Sequence, residues 1–230
     1  MKISHIAFIP DGNRRWARLH GFSVIKGHEK GIDKMGEVLQ WCQKEGIKTI
    51  SFWAFSTENF NRDKQEVELL FKAFKNRLKK VLEEAKFEKS KTAVKFIGQK
   101  NLFPKDIQRG MEIIEKKTRK YSDYQLNFFI GYGGKAEIIE AVKGILKDYT
   151  KEDVDKINEE VLNRYLWSGA LPEPDLIIRT SGEQRLSGFL PLKSSYSELY
   201  FCKKYWPDFN YEDFYMAITD FYKRVRRWGR

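Results

Sequence analysis

The first residues that could do chemistry lie in the stretch IPDGNRRWAR, at positions 9–18. Gly12 and Asn13 stand where a helix would begin, and unpaired backbone N–H groups attract an anion there. The charges of Arg15 and Arg18 strengthen that attraction. Asp11 would repel that anion unless Mg²⁺ lay between them, held by the carboxylate and by phosphate oxygens. The stretch predicts a metal-assisted phosphate site; the alternative is a helix capped by Asp11 with arginines on the surface.

Another basic stretch, RTSGEQRLS at positions 179–187, is the third polar stretch in chain order and offers two arginines and a hydroxyl. An arginine fork grips phosphate oxygens with two hydrogen bonds, and a serine hydroxyl donates one more. Arg179, Arg185 and Ser187 therefore predict a site for a second diphosphate. The alternative is a solvated loop in which Arg179 pairs with Glu183.

The second stretch in chain order, AFSTENFNR at positions 54–62, places polar side chains beside Phe55 and Phe60. Aromatic walls suit the apolar body of a substrate. The alternatives are a core position for Phe55 and a helix cap made by Ser56 or Thr57. The polar candidates in this stretch are Ser56, Glu58, Asn59 and Arg62.

A single histidine, His28 in KGHEKG, is either a proton shuttle or phosphate ligand, or a structural hydrogen-bond donor. Taken together, two phosphate sites, one carboxylate for Mg²⁺ and aromatic walls indicate a reaction between two phosphorylated substrates that carry hydrophobic groups.

Six short β-branched and aromatic runs predict buried strands: HIAFI, TISFWAF, AVKFIG, LNFFIGYG, DLIIRTSG and ELYFC. Segments with helical spacing lie between them, and KFEKSKTA at 86–93 predicts a polar turn. This alternation predicts an α/β fold, with residues 1–230 in a single domain and a six-stranded, mostly parallel central sheet flanked by about seven helices. Ligands bind at the carboxyl ends of such strands, where the three polar stretches follow the first, second and fifth strands.

Composition narrows the class of partner. Lys+Arg 43 against Asp+Glu 32 gives a net charge of +11, which indicates an anionic partner: a nucleic acid, a phosphorylated metabolite or an acidic membrane surface. Cys42 and Cys202 are far apart in sequence and predict two buried thiols in a reducing compartment. The apolar run ISHIAFI is too short for a signal-peptide core or a membrane span, so we expect a cytoplasmic protein, with contact at a membrane surface as a further option.

The ordered motifs resemble the cis-prenyltransferases, also called Z-type polyprenyl or undecaprenyl diphosphate synthases. The resemblance runs over almost the whole chain through HIAFIPDGNRRWA, GHEKG, FWAFSTENFNR, YGGKAEI, PDLIIRTSGEQRLSGFL, SYSELYF and the terminal RWG. It implies an enzyme that adds isopentenyl diphosphate repeatedly in cis geometry to an allylic starter, farnesyl or geranylgeranyl diphosphate, to make a lipid carrier precursor. It also implies Mg²⁺, a homodimer and an apolar tunnel for the growing chain.

The resemblance assigns roles to residues at matching positions. It implies a catalytic role for Asp11, Asn13 and Asn59, and a metal role for Asp11 and Glu198. The allylic diphosphate would bind at Gly12, Asn13, Arg14, Arg15, Trp16, His28, Ser56, Glu58 and Arg62. Isopentenyl diphosphate would bind at Arg179, Arg185, Ser187, Arg227 and Gly229.

The chain departs from the bacterial pattern at several positions. Arg14 stands where bacterial members usually have glycine, and Val24 where many carry a phosphate-binding arginine, for which Lys26 is a candidate replacement. Leu192 and Lys193 also differ from the frequent sequence and affect local packing. Two rival interpretations stay open at this point: a non-catalytic partner subunit of a two-component prenyltransferase, and a basic nucleic-acid-binding protein.

Overall fold

A computed structural model describes residues 2–84 and 86–225 of the chain. They contain one six-stranded sheet, formed by β1 (His5–Ile9), β2 (Thr49–Ser56), β3 (Thr92–Ile97), β4 (Tyr124–Tyr132), β5 (Leu176–Arg179) and β6 (Glu198–Phe201). The strand order is β3-β4-β2-β1-β5-β6, and every neighbouring pair is parallel. The predicted α/β fold with six strands is confirmed, and the sheet is parallel throughout.

Eight α-helices connect and cover the strands within the described residues, where about seven were expected: α1 (Asn13–Leu19), α2 (Val24–Lys44), α3 (Lys64–Glu84), α4 (Lys86–Lys89), α5 (Lys105–Thr118), α6 (Gly134–Asp148), α7 (Glu159–Tyr165) and α8 (Tyr211–Lys223). The short helix α4 lies where a polar turn was predicted. That prediction was wrong at both ends, because Thr92 already belongs to β3. Among the described helices, none is long and apolar enough to cross a membrane.

The centre of the core is β1, in which all five residues are buried. On one face of the sheet Phe8 packs against Phe52 and Trp206, and on the other face Phe129 packs against Phe189. Burying each of these side chains stabilises the fold by about 1.5–3 kcal/mol, which explains why the strands are almost continuously apolar. The free thiols of Cys42 and Cys202 are buried, as predicted.

Helix α3 is amphipathic and faces the sheet with its apolar side. Leu78 is buried in the core, and Phe71 and Phe74 pack against that core at a spacing that keeps all three on one helical face. Lys72 and Lys79 are exposed on the opposite side. This orientation gives the space between α3 and the sheet an apolar wall.

Candidate active site

The three polar stretches meet because β2, β1 and β5 are adjacent and parallel. Ile9 at the end of β1 pairs in register with Arg179 at the end of β5. The main chain of Asp11 is tied to Thr180 by two hydrogen bonds: the Asp11 N–H donates to the Thr180 hydroxyl over 3.0 Å, and that hydroxyl donates to the Asp11 carbonyl over 2.7 Å. Thr180 therefore locks the first and third stretches together, a role that the sequence did not predict.

The carboxylate of Asp11 lies between two arginines. Arg179 donates to Oδ2 over 2.8 Å and Arg15 donates to Oδ1 over 3.2 Å. Burial alone would raise the pKa of Asp11, but the hydrogen bond and charge of Arg179, together with Arg15, outweigh it and lower that pKa. Asp11 is therefore ionised at neutral pH.

Arg179 organises the third stretch rather than standing free in solvent. The residue is 5% exposed, and its guanidinium also donates to the Arg185 carbonyl over 2.5 Å and to the Ser187 hydroxyl over 2.8 Å. Its buried Nε atom has no hydrogen-bond partner. The loop curls around this guanidinium with Ser187 at φ 53°, a left-handed conformation that a non-glycine residue adopts only at a cost.

Glu183 links the first stretch to the third. Its carboxylate accepts hydrogen bonds from Arg15 over 2.8 Å and from Arg185 over 2.6 Å, and these bonds lower its pKa. The alternative pairing of Arg179 with Glu183 was wrong, because Asp11 takes the guanidinium of Arg179 instead. The side chain of Arg185 is 59% exposed and lies at the rim of the site.

A cavity of about 320 Å³ opens beside Asp11, and we call it the anion pocket. It is lined by Pro10, Asp11, Gly12, Asn13, Arg14, Arg15, Arg18, His28 and Arg62. Only glycine fits at position 12, because its φ is 104° and a Cβ would lie 2.7 Å from the Tyr205 ring. Four arginines against one aspartate make the pocket attractive to a diphosphate.

Glu66 lies behind the wall of the anion pocket, in contact with three of the residues that line it, and was not predicted as a site residue from the sequence. Its carboxylate, which is 15% exposed, lies 3.3 Å from Arg62, 3.4 Å from Arg14 and 4.0 Å from Nε2 of His28. The signal in the sequence was the separation of four residues between Arg62 and Glu66, which have opposite charges and flank the start of α3. Arg14, the departure from the bacterial pattern, supplies a cation to this pocket.

His28 is uncharged in this setting. Burial, followed by the positive charges of Arg62 and Arg14, lowers the pKa of His28 to about 4. Its buried Nε2 atom has no hydrogen-bond partner and lies on the wall of the anion pocket. A neutral imidazole with a vacant nitrogen suits hydrogen bonding to a ligand in the pocket.

A second cavity, of about 860 Å³, continues from the anion pocket between the sheet and helices α2 and α3, and we call it the tunnel. Asn13 and His28 line both cavities. The tunnel wall is mostly apolar and includes Met35, Leu39, Phe55, Leu70, Phe71, Phe74, Leu78, Val81, Phe87, Val94, Phe96, Phe103, Leu126, Phe128 and Ile130. Such a wall fits a hydrocarbon chain attached to a diphosphate.

The second stretch contributes differently from its prediction. Ser56 and Asn59 form a capping box at the start of a 3₁₀ turn over Thr57–Asn61, so the alternative role of Ser56 as a cap is confirmed. Glu58 is exposed. Of the described residues in this stretch, Arg62 lines the anion pocket and the others do not. Phe55 lines the tunnel.

Two candidate residues point away from the anion pocket. Nε1 of Trp16 donates to Asp208 over 2.7 Å and the ring packs against His20 and Phe22, because the indole is apolar and finds a buried surface there. Lys26 is exposed and lies 3.6 Å from Glu29. Neither residue lines the anion pocket, so the structure does not support Lys26 as a replacement for the arginine missing at Val24.

The structure does not bring Glu198 to Asp11 within one chain. Glu198 begins β6 and pairs in register with Leu176, at the amino edge of the parallel sheet, whereas Asp11 follows the carboxyl edge. Its carboxylate accepts a hydrogen bond from Arg224 over 2.7 Å. Arg227 and Gly229, the remaining predicted site residues, lie outside the described residues.

The departures at Leu192 and Lys193 have a local explanation. Lys193 is 9% exposed and its ammonium donates to the Gly169 carbonyl over 3.3 Å, whereas Leu192 is exposed. The lysine therefore takes part in packing the loop that follows β5 and contacts neither cavity wall among the described residues.

Comparison with known proteins relates this site to one family. The family model described as putative undecaprenyl diphosphate synthase matches residues 9–229. A tritrans,polycis-undecaprenyl-diphosphate synthase (geranylgeranyl-diphosphate specific) of Thermoplasma acidophilum is 45% identical over 228 residues, covering 98% of this chain and 88% of the relative. An enzyme of the same name from Pyrococcus horikoshii is 44% identical over 228 residues, covering 98% and 86%.

Solved structures show the same similarity. The crystal structure of lavandulyl diphosphate synthase from Lavandula x intermedia, in complex with dimethylallyl diphosphate, matches with a TM-score of 0.93 at 29% identity and covers 100% of this chain and 99% of that one. A probable undecaprenyl diphosphate synthase from Campylobacter jejuni matches with a TM-score of 0.81 at 30% identity and covers both chains completely.

Proposed function

The chain belongs to the undecaprenyl diphosphate synthase family of cis-prenyltransferases, and on that basis we propose that it elongates geranylgeranyl diphosphate with isopentenyl diphosphate to an undecaprenyl product. The starter and product length are supported by the names of the relatives at 41–45% identity. The product would serve as a lipid carrier precursor. We expect a cytoplasmic homodimer, in which Arg227 and Gly229 contribute to isopentenyl diphosphate binding.

The observation that carries this proposal is the continuity of the anion pocket with the tunnel. A prenyl diphosphate has a charged head and a long apolar tail, and the two cavities match them in that order. Each buried CH₂ group contributes about 0.8 kcal/mol, so every five-carbon unit added to the tail strengthens binding in the tunnel.

Mg²⁺ fits the residues of this site. Asp11 is ionised and lines the anion pocket, and Mg²⁺ usually takes one or two carboxylates while phosphate oxygens and water complete its ligands. Within residues 2–84 and 86–225, no group of three or more His, Cys, Asp or Glu could hold an ion alone, so the ion would arrive with a diphosphate. When bound, it would neutralise negative charge that develops on the departing diphosphate.

The protein side chains divide the remaining work. Arg14, Arg15 and Arg62 hold the allylic diphosphate and stabilise it as its bond to C1 breaks. Arg179 and Ser187 orient the diphosphate of isopentenyl diphosphate, whose double bond attacks C1. The new chain then loses a proton from C2 to an oxygen of the departed diphosphate, which completes the step. Neutral His28 donates or accepts a hydrogen bond without adding charge, and the apolar tunnel keeps water from the allylic cation.

The test is an incorporation assay with radiolabelled isopentenyl diphosphate, Mg²⁺ and one of three starters: geranylgeranyl, farnesyl or dimethylallyl diphosphate. We expect geranylgeranyl diphosphate to give the highest kcat/KM and a ladder of extracted lipids that ends at undecaprenyl length. A preference for farnesyl diphosphate would contradict the proposed starter. No incorporation by a folded protein with any starter would favour the non-catalytic partner subunit.

A further inference from the structure

The positive charge of the chain is concentrated in one segment that the catalytic site does not explain. Residues 72–120 contain 16 lysines and arginines against 6 aspartates and glutamates, a net charge of +10 out of +11 for the whole chain. The remainder of the sequence is therefore close to neutral. A segregation of this kind makes a strong local field and attracts an anionic partner to that side of the molecule.

The arginines of the anion pocket do not account for the excess. Arg14 and Arg62 face Glu66, Arg15 faces Asp11 and Glu183, and each pair is close enough for an ion pair. Positive charge at the carboxyl edge of the sheet is thus partly offset by carboxylates of the same site, and none of these arginines lies within residues 72–120. The unbalanced lysines lie elsewhere.

Segment 72–120 forms one continuous side of the fold, made of most of α3, α4, β3 and α5. Leu78 of α3 packs against Gly110 of α5, and the Val94 N–H of β3 donates to the Thr118 hydroxyl of α5 over 3.0 Å. Exposed basic residues at the C-terminal ends of α3, α4 and α5 and directly before β3 define what we call the distal basic surface: Lys79, Lys89, Lys91, Lys116, Lys117 and Arg119.

The tunnel reaches this surface at the end remote from Asp11. Its lining runs from Asn13 and His28 to the exposed Lys80 and Lys89, next to Val81 and Phe87. A prenyl tail that grows away from the anion pocket therefore advances towards the distal basic surface. An apolar side chain is also exposed on this side: Ile113, 38% exposed, lies one helical turn before Lys116 and Lys117.

We propose that the distal basic surface docks on an anionic lipid bilayer and delivers the tail of the finished product from the tunnel directly into the membrane. Lysines beside exposed apolar groups are the composition that binds anionic headgroups at an interface. The delivery of a polyprenyl product rests on the proposed function, whereas the docking rests on the charge and exposure of the lysines and arginine in the distal basic surface. A bilayer explains why the apolar tunnel ends beside exposed lysines, Lys80 and Lys89, which a nucleic acid does not.

Binding is measured by co-sedimentation with vesicles of phosphatidylglycerol and phosphatidylcholine, and with vesicles of phosphatidylcholine alone. The test variant carries Lys79→Gln, Lys116→Gln and Lys117→Gln, and the matched control carries Lys143→Gln, Lys147→Gln and Lys151→Gln on exposed positions of α6 and the turn after it. Both variants lose the same charge, and neither set lines the anion pocket or the tunnel.

We expect the wild type to bind the anionic vesicles and to be released by high salt, with little binding to neutral vesicles. Each basic residue near the surface is worth about a factor of 5 in affinity, so the distal triple variant should bind about 100-fold more weakly, while the control stays within about 3-fold of wild type. Equal weakening of the two variants, or no anionic preference in the wild type, would overturn the proposal. Tighter binding to a single- or double-stranded oligonucleotide than to anionic vesicles would overturn it in favour of nucleic acid.

A second measurement separates this inference from the proposed function. Product release is followed after a single round of synthesis, with detergent, neutral vesicles or anionic vesicles as acceptor. We expect anionic vesicles to accelerate release from the wild type and the control, and the distal triple variant to synthesise product normally in detergent but to lose the acceleration. Failure to make any polyprenyl product would refute the proposed function and leave the vesicle-binding result intact. Equal acceleration in all three proteins would refute delivery through this surface.

Discussion

Replacement of Asp11 by asparagine separates the catalytic role of its carboxylate from its structural role. The change keeps the shape of the side chain and removes its charge. Arg179 is 5% exposed and loses its ionised partner at 2.8 Å, although the amide oxygen can still accept a weaker hydrogen bond. We expect the free energy of unfolding to fall by about 2 kcal/mol, the typical value of a hydrogen bond to a charged group. For a chain of this size that lowers the Tm by about 4–8 °C.

Turnover of the Asp11→Asn variant should fall much further than its stability predicts. The variant lacks the carboxylate that would hold Mg²⁺ and that offsets the positive charge of Arg15 and Arg179. We expect kcat to fall by about 10³-fold or more, because charge stabilisation at a reacting diphosphate is a large part of catalysis. Scanning calorimetry and the radiolabel assay, run on the same preparation at a temperature well below both Tm values, measure the two effects.

The matched control is Glu183→Gln, which removes another carboxylate from the same arginines but outside the lining of the anion pocket. Its turnover should stay within a few-fold of wild type. Normal turnover by Asp11→Asn would refute the metal and diphosphate role. Equal losses in both variants would show that the charge of the arginine network matters, rather than the position of the Asp11 carboxylate.

Three further predictions test other parts of the site. His28 and the buried His5 each have a pKa of about 4 in the folded protein, whereas a histidine in the unfolded chain takes up its proton near pH 6.5. The free energy of unfolding should therefore fall by up to about 3 kcal/mol per histidine as the pH falls from 6.5 to 4. Urea titrations at several pH values measure this slope, and His28→Asn should remove part of it. Arg179→Lys replaces a fork by a point charge and should raise the KM for isopentenyl diphosphate by about 10-fold or more; an unchanged saturation curve would count against that placement. Val81→Phe narrows the tunnel beyond Leu78 and should shorten the dominant product without changing the KM for isopentenyl diphosphate; an unchanged ladder of lipids would show that the chain grows elsewhere.

The fold was predictable because its strands are buried on both faces. Such strands are almost purely apolar, as in HIAFI of β1, and helical spacing between them leaves few alternatives to a parallel sheet. Helix α4 was missed because four residues, Lys86–Lys89, provide too short a window for any periodicity.

The site was predictable where a residue directly follows a strand. Asp11 and Arg179 meet because their strands are neighbours in register, so their positions in sequence fixed their positions in space. Glu198 also lies on a strand of this sheet, but at its beginning, and a sequence motif does not show which edge of the sheet it occupies. Trp16 lies within the motif, yet its indole turns to Asp208, which is remote in sequence.

The anion pocket and the tunnel together should bind one prenyl diphosphate, with its head in the pocket and its tail in the tunnel. The most direct measurement is a crystal structure with Mg²⁺ and a non-hydrolysable thiolo-diphosphate analogue of geranylgeranyl diphosphate. We expect the diphosphate between Asp11, Arg15 and Arg62, with the tail passing Phe71 towards Lys80. A diphosphate bound elsewhere, or a tail lying outside the tunnel, would contradict it.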